Sequence, residues 1–149
     1  MIEKENFLSF IEKWIIRKYI PKDFDGINID FAFAGSFVNA YDSFVTQVPS
    51  SCQIESITDS IIWNISYDDL QEIYTKTEIG NVIGRLASED QYFKKSNREL
   101  AFLTKSAEER YLDLFNKQPH LLQLIPLKYI ASYIGVASQS LSRIRKNIT

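Results

Sequence analysis

The residues from Leu127 to Lys146 constrain the fold of this chain more than any other stretch. Two helices that pack at a steep angle across a short turn need a small residue at their crossing, a glycine that accepts a positive φ, and apolar residues facing inward. Ala131 is the small residue, and Gly135, four positions later, is the turn glycine. The inward positions hold Ile130, Ile134, Val136, Leu141 and Ile144. The window therefore predicts a helix-turn-helix.

The second helix of this motif, beginning near Ala137-Ser138, has a polar and basic outward face. Gln139 can pair with adenine edges in the major groove of DNA, and Arg143 with guanine edges, while serine, arginine and lysine side chains can contact phosphates. The partner predicted from this face is double-stranded DNA, and a plain amphipathic hairpin is the alternative. The candidate DNA contacts are Ser138, Gln139, Ser140, Ser142, Arg143, Arg145 and Lys146.

The charge of the chain is unevenly distributed along its length. The net charge is −2, but the residues from His120 to Thr149 contain four basic residues and no acid, which gives them +4. The preceding 119 residues hold 13 basic and 19 acidic residues, for a balance of −6. A basic tail on an acidic body is typical of polyanion binding, because phosphate contacts need local positive charge. A solvated final helix explains the same charges equally well.

The first sixty or so residues are typical of β-structure. Ile27, Ile29, Phe31 and Phe33 alternate with smaller or polar residues, which predicts a half-buried strand. The aromatic and β-branched run from Phe10 to Ile20 precedes it, and the Asp25-Gly26 pair between them is a hairpin turn signal. Two further short strands are predicted at Cys52–Ile57 and Ile61–Ile65. Short strands at this spacing favour a small antiparallel sandwich or roll.

Helical patterns follow the β-rich part. Ser66 is a predicted N-cap for a short helix ending near Tyr74, and a long helical pattern runs from about Glu78 to Leu103. Apolar residues repeat along one stripe of the long helix, although Glu89 and Ser96 interrupt the stripe. The stripe predicts a dimerisation surface; packing of the helix on its own sheet is the alternative. The candidate dimer contacts are Ile79, Val82, Leu86, Phe93 and Leu100.

The spacing of Ser106 and Glu109 is that of a capping box, and it predicts a helix that closes near Lys117. The chain is therefore expected to be α+β with three parts. Residues 1–77 form a partial β-roll, residues 78–104 the long connecting helix, and residues 105–149 the helix-turn-helix domain.

The sequence lacks the residues that several kinds of site require. One cysteine and one histidine provide no disulfide and no Cys/His metal site. No nucleophile elbow, phosphate loop or dinucleotide fingerprint is present, so we expect neither an enzyme nor a cofactor. No apolar run is long enough to span a bilayer and no signal peptide is apparent, so we expect a cytoplasmic protein without membrane contact.

In the stretches Ser106–Tyr111, Ile125–Val136 and Ser140–Arg145, the sequence resembles the Crp/Fnr transcription regulators, particularly a branch common in Bacteroidetes. Shorter matches lie at Phe10–Lys13, Arg17–Tyr19, Phe31–Phe33 and Asp42–Phe44. The resemblance implies a β-roll of the cyclic-nucleotide-binding type (a double-stranded β-helix), a long dimerisation helix and a helix-turn-helix reader. It also implies that a homodimer binds near-palindromic operators, with Ser138, Gln139 and Arg143 reading bases.

The chain departs from this family's pattern at both ends. Family members usually have further N-terminal residues, so we expect a β-roll that is short of part of a sheet. Trp14 stands where the family usually has the glycine of a tight turn, and Thr149 ends the chain at the recognition helix, without a full β-wing.

The segment that corresponds to the family's phosphate-binding cassette is altered. Cyclic-nucleotide binders have a glutamate for the ribose and an arginine for the cyclic phosphate, and this sequence has neither. Losing the arginine–phosphate contact removes about 1.5–3 kcal/mol, so cyclic AMP is not the expected effector. The residues at the two cassette ends are Gly35-Ser36-Phe37 and Pro49-Ser50-Ser51, and the serines can still donate hydrogen bonds to an unknown small molecule.

Together these features predict a homodimeric, sequence-specific DNA-binding transcription regulator whose effector domain is degenerate or has an unidentified ligand. RNA polymerase is a further candidate partner. The alternative is a degenerate effector-domain protein that acts as a dimerisation or protein-interaction module without operator binding, and a small enzyme is the third reading.

Overall fold

The computed structural model describes residues 3–23 and 25–148. The chain divides into two compact units, Met1–Gly84 and Arg85–Thr149, and the boundary between them falls inside a helix. The first unit contains the strands and the second contains only helices. The predicted α+β class is confirmed.

Six strands and two complete helices form the first unit among its described residues. The strands are β1 (Phe7–Lys13), β2 (Ile15–Ile20), β3 (Ile27–Phe33), β4 (Phe37–Val38), β5 (Gln53–Ser56) and β6 (Ile61–Ser66). The helices are α1 (Tyr41–Thr46) and α2 (Tyr67–Lys76). Five of the six strands fall in the stretches predicted to be β-structure, whereas β4 and α1 were not predicted.

The strands form two antiparallel sheets. One sheet has the order β4-β1-β6 and the other the order β3-β2-β5, so β6 and β5 each lie at a sheet edge. The core between the sheets contains Ile11 from β1, Val38 from β4, and Ile16 and Ala32 from β2 and β3, with Ile54 of β5 packed against them. Apolar residues from all five of these strands therefore meet in one cluster, as the predicted roll requires.

The predicted burial pattern of β3 is wrong. Alternation in the sequence favoured Ile27 and Phe31 as inward residues and Asn28 and Ala32 as outward ones. In the structure Asn28 is fully buried, Ala32 lies in the core, and Ile27 is exposed. Phe31 is buried as well, so β3 is covered on both faces at its centre. Alternation identifies a strand, but it assigns the inner face only when one face is in solvent.

The run from Phe10 to Ile20 forms two strands that belong to different sheets. The chain leaves β1 at Lys13, and Trp14 has a left-handed φ of 78° before β2 begins at Ile15. A left-handed backbone costs a non-glycine residue about 1–2 kcal/mol. The tryptophan side chain is 57% exposed and recovers only part of this cost by burial. The turn predicted at Asp25-Gly26 is confirmed, since Gly26 has a φ of 68° between β2 and β3.

Helices follow the last strand, and α2 begins where a local sequence signal places it. The Ser66 side chain accepts a hydrogen bond from the Asp69 backbone N–H, which confirms Ser66 as the N-cap of α2. Helix α3 spans Glu78–Thr104, all of which the structure describes. Gly80 is the only buried residue of this helix. The second unit continues with α4 (Ala107–Lys117), α5 (Pro119–Leu124), α6 (Leu127–Tyr133) and α7 (Ser138–Ile148). None of the described helices combines the length and apolarity needed to cross a bilayer.

Replacing Trp14 tests the backbone strain at the point where the chain changes sheets. Because glycine accepts a positive φ without strain, Trp14→Gly should be about 1 kcal/mol more stable than Trp14→Ala, the reverse of the usual order in β-structure. Urea unfolding followed by the fluorescence of Trp63, the remaining tryptophan, gives both free energies. Equal stabilities would show that the positive φ at this position carries no cost.

Candidate nucleic-acid interface

Helix α4 begins with a complete capping box. The Ser106 side chain accepts a hydrogen bond from the Glu109 backbone N–H, and the Glu109 carboxylate accepts one from the Ser106 backbone N–H. That backbone donor lowers the pKa of Glu109, because it stabilises the ionised carboxylate. A hydrogen bond from Lys105 is the main cause of the lowered pKa of Asp113, one turn further along. The predicted cap is confirmed, and it sets the start of the helical domain.

The helices of the second unit supply a common set of buried apolar side chains. Tyr111 and Leu114 come from α4, and Leu121 comes from α5, which the sequence analysis did not predict. Pro119 at the first position of α5 was the available signal, since proline is favoured there. Ile125 is buried as well, and α5 packs against both α4 and α6.

The corner between α6 and α7 has the geometry that the sequence predicts. Gly135 has a φ of 78°, and the Val136 backbone N–H donates to the Ala131 carbonyl at 2.9 Å. Ala131 and Leu141 are each 1% exposed, which places one small and one large residue at the crossing of the helices. Ile130 and Ile134 are buried beside them, and Ile144 is half-buried. The helix-turn-helix is therefore confirmed as a structure.

Gly135 also makes a close contact with the long helix. A Cβ atom built on Gly135 would lie 2.6 Å from Cε1 of the Phe102 ring in α3. Such a distance is far below van der Waals contact, so the ring and the turn are packed as closely as the absence of a side chain allows. Glycine is needed here for two reasons, the sign of φ and the space.

The candidate DNA contacts line the outer side of α7. Ser138, Gln139, Ser142, Arg143, Arg145 and Lys146 are exposed, whereas Ser140 is half-buried. The Ser142 hydroxyl donates to the Ser138 carbonyl at 3.1 Å, and Arg143 Nη2 donates to Ser140 Oγ at 3.3 Å. Arg143 and Lys146 form no ion pair with any residue in the described ranges. Their roles in DNA binding stay predictions.

The candidate effector residues lie in the first unit, at two turns. Gly35 has a φ of 85° with open space where a side chain would be, and Phe37 is exposed on β4 against Phe10. The Ser36 hydroxyl donates to the Phe33 carbonyl at 2.6 Å. The Ser50 hydroxyl is bonded to the backbone of Cys52, as donor to its carbonyl and acceptor from its N–H. Pro49 and Ser51 are exposed. Ser51 Oγ lies 3.9 Å from Cys52 Sγ, so each of the three serine hydroxyls has a partner near its own turn.

Solved structures with a similar fold include transcription regulators. A chain assigned to the Crp/Fnr family of transcriptional regulators, from Eubacterium rectale, has a TM-score of 0.74 and 14% identity, and the similarity covers 99% of this chain and 73% of that one. FixK2 from Bradyrhizobium japonicum has a TM-score of 0.77 and 16% identity over 98% of this chain and 77% of that one. This chain has the fold of the Crp/Fnr regulators.

Similarity in sequence is much weaker than similarity in structure. CooA from Carboxydothermus hydrogenoformans, in a mutant form, has a TM-score of 0.75 at 12% identity, over 96% of this chain and 67% of that one. No protein-family model matches the sequence, and no curated protein matches it either. The Crp/Fnr-like fold is therefore shown by structure, while the Bacteroidetes branch stays a prediction.

Replacing Gly135 and Gly35 separates the two reasons for glycine at the corner. Gly35→Ala adds a side chain at a positive φ in open space and should cost about 1 kcal/mol. Gly135→Ala adds the same strain and drives a methyl group into Phe102, so about 2–4 kcal/mol is expected. Far-UV circular dichroism during urea unfolding follows the helices, and tryptophan fluorescence follows the sheets. An equal cost at the two sites would contradict the close packing at Gly135.

Proposed function

We propose that this protein is a homodimeric, sequence-specific DNA-binding transcription regulator. The observation that carries the proposal is the outer face of α7: Gln139 and Arg143 project from a helix whose opposite side is locked by Leu141 against α6. A rigid base matters, because base reading depends on side chains held in register with the groove. The similarity of the fold to Crp/Fnr regulators supports the same function.

The side chains on the outer face of α7 carry hydrogen-bonding groups that suit the bases and phosphates of double-stranded DNA. Glutamine presents a donor and an acceptor that match adenine N7 and N6, and arginine presents two donors that match guanine O6 and N7. Arg145 and Lys146 follow in the last turns of α7, where positive charge also interacts favourably with the helix dipole. In this proposal Ser138 contributes to base reading, while the other serines and the two terminal cations contact phosphates.

The long helix supplies a surface for a second copy. Ile79, Val82, Leu86, Phe93 and Leu100 are between 47% and 68% exposed in the single chain, and they lie along one stripe of α3. Leu103, on the same stripe, is 77% exposed. Large apolar side chains that repeat along one face of a helix are typical of a surface covered by a partner, although Glu89 and Ser96 interrupt the stripe here. A dimer on α3 would give two recognition helices related by a two-fold axis, which near-palindromic operators match.

The β-roll acts in this proposal as a platform or as the sensor of an unidentified small molecule. The hydroxyls of Ser36 and Ser50 are bonded locally, and neither cassette end carries an arginine. A cyclic nucleotide would need both a cation and free donors there, so cyclic AMP is not the proposed effector. A ligand of another kind would act by raising the population of the DNA-reading dimer. No catalytic role is proposed.

The substitution Arg143→Ala tests the proposed base recognition by α7. The duplex for the assay is selected from a random-sequence library by the parent protein. Because a bidentate contact to guanine is lost, binding should weaken by about 1–3 kcal/mol and preference at one base pair should relax. Lys95→Ala, which removes an exposed cation from α3, is the control and should bind as the parent does. Unchanged affinity and preference in Arg143→Ala would show that Arg143 reads no base.

A salt series separates the regulator from the alternative function. Neutralised phosphates release counterions, so the affinity of the parent for DNA should fall steeply as salt rises. Gel shifts on the selected duplex and on the region upstream of its own gene measure this slope. No shift at low salt would favour a dimerisation or protein-interaction module, for which the exposed stripe of α3 is the supporting observation.

Phe93→Glu tests the dimer surface. A carboxylate in the centre of an apolar contact must be desolvated without a partner, so the dimer should dissociate about 100-fold more readily. Lys95→Glu, two residues further and on the opposite side of the helix, is the matched control and should leave the assembly intact. Sedimentation equilibrium should give twice the 17.3 kDa chain mass for the parent and the control. A monomeric parent would contradict the proposed homodimer.

A further inference from the structure

One arginine side chain joins three parts of the second unit. Arg110, on α4, donates from Nε to the Ile134 carbonyl at 2.9 Å and from Nη1 to the Lys105 carbonyl at 2.6 Å. Its guanidinium also lies over the Phe102 ring, 4.5 Å from the centroid. Ile134 caps the C-terminus of α6, directly before Gly135, and Lys105 directly follows α3. Carbonyls at helix C-termini carry partial negative charge, so a cation suits both of them.

The same corner is held by a second guanidinium. Arg98, one turn before Phe102 on α3, lies 4.7 Å from the centroid of the Phe102 ring and 4.3 Å from that of Tyr133. Tyr133 is the last residue of α6, so the residues on both sides of the α6 terminus contact the last two turns of α3. We call Arg98, Phe102, Arg110 and Tyr133 the corner stack. Guanidinium groups over aromatic faces form favourable contacts with fixed geometry.

The corner stack lies close to the start of the recognition helix. Only two residues, Val136 and Ala137, separate Gly135 from α7, and Val136 is itself bonded to Ala131. A shift of the corner relative to α3 must therefore move the first turn of α7, where Ser138 and Gln139 lie. The two arginines of the corner stack contact aromatic rings and backbone carbonyls. They therefore contribute little to the positive charge of the DNA-facing side of α7.

We propose that Arg110 is a positioning residue for DNA reading, which sets the direction of α7 relative to α3 by holding the turn of the helix-turn-helix. The inference rests on the proposed function. In a dimer built on α3, two recognition helices must fit half-sites at a fixed spacing, and a small error in direction spoils that fit. Binding to unrelated DNA depends on charge alone and tolerates such an error. A substitution that weakens the Arg110 contacts should therefore lower the affinity for the specific operator and leave the affinity for unrelated DNA unchanged.

Arg110→Lys in the full chain is the test. Lysine keeps the charge but cannot bond two carbonyls with one planar group. Affinity for the duplex selected by the parent should fall about tenfold, while affinity for an unrelated duplex of the same length should stay within about twofold and the salt slope should not change. Arg85→Lys, at an exposed arginine of α3, is the matched control and should change neither affinity.

Phe102→Leu provides a second variant that removes the ring and keeps an apolar side chain. It should change the ratio of specific to non-specific affinity in the same direction, with the far-UV circular dichroism of the parent retained. If both variants fold and keep the parental ratio, the positioning role is overturned. The same holds if both affinities fall together with the helical signal, because that result describes a folding role. A parent that binds no duplex at all overturns the proposed function, and this inference with it.

Discussion

The turn at Gly135, which joins α6 to α7 and packs closely against Phe102 of α3, is the constraint on which the rest of the helical unit depends. With no side chain at that turn, Ala131 and Leu141 can meet in the crossing while Phe102 covers the turn from α3. The direction of α7 follows from this packing, and with it the set of side chains left outside. The polar and basic face is thus a consequence of the apolar one, since a different crossing would present different residues of the same helix.

Features of the fold that depend on local interactions could be predicted from the sequence. The cap at Ser66, the capping box at Ser106 and the glycine corner each involve residues within a few positions of one another, and each lies where it was expected. The long helix was recognisable because its apolar repeat continues over several turns. For the same reason, the polar outer face of α7 could be predicted, because periodicity alone sorts the residues of a helix into two faces; contact of this face with DNA stays a prediction.

What could not be predicted depends on contacts between distant residues. Helices α1 and α5 have six residues each and no side-chain cap, so they are stable only through packing. The left-handed Trp14 contradicts the local preference of its residue type, and the division of the Phe10–Ile20 run between two sheets depends on it. The contacts of Arg110 could not be predicted for another reason. Its acceptors are backbone carbonyls, one of them 24 residues away, and every residue type offers a carbonyl.

The position of β6 has a consequence for the behaviour of the protein at high concentration. Within the described part of the chain β6 pairs with β1 alone, and its residues from Ile61 to Ser66 include no charge and no proline. Three of them, Ile61, Ile62 and Trp63, are large, apolar and exposed. An open hydrogen-bonding edge with apolar side chains and no gatekeeper is a template on which other extended chains can polymerise. Self-association through this edge would be insensitive to salt, which distinguishes it from precipitation driven by opposite charges.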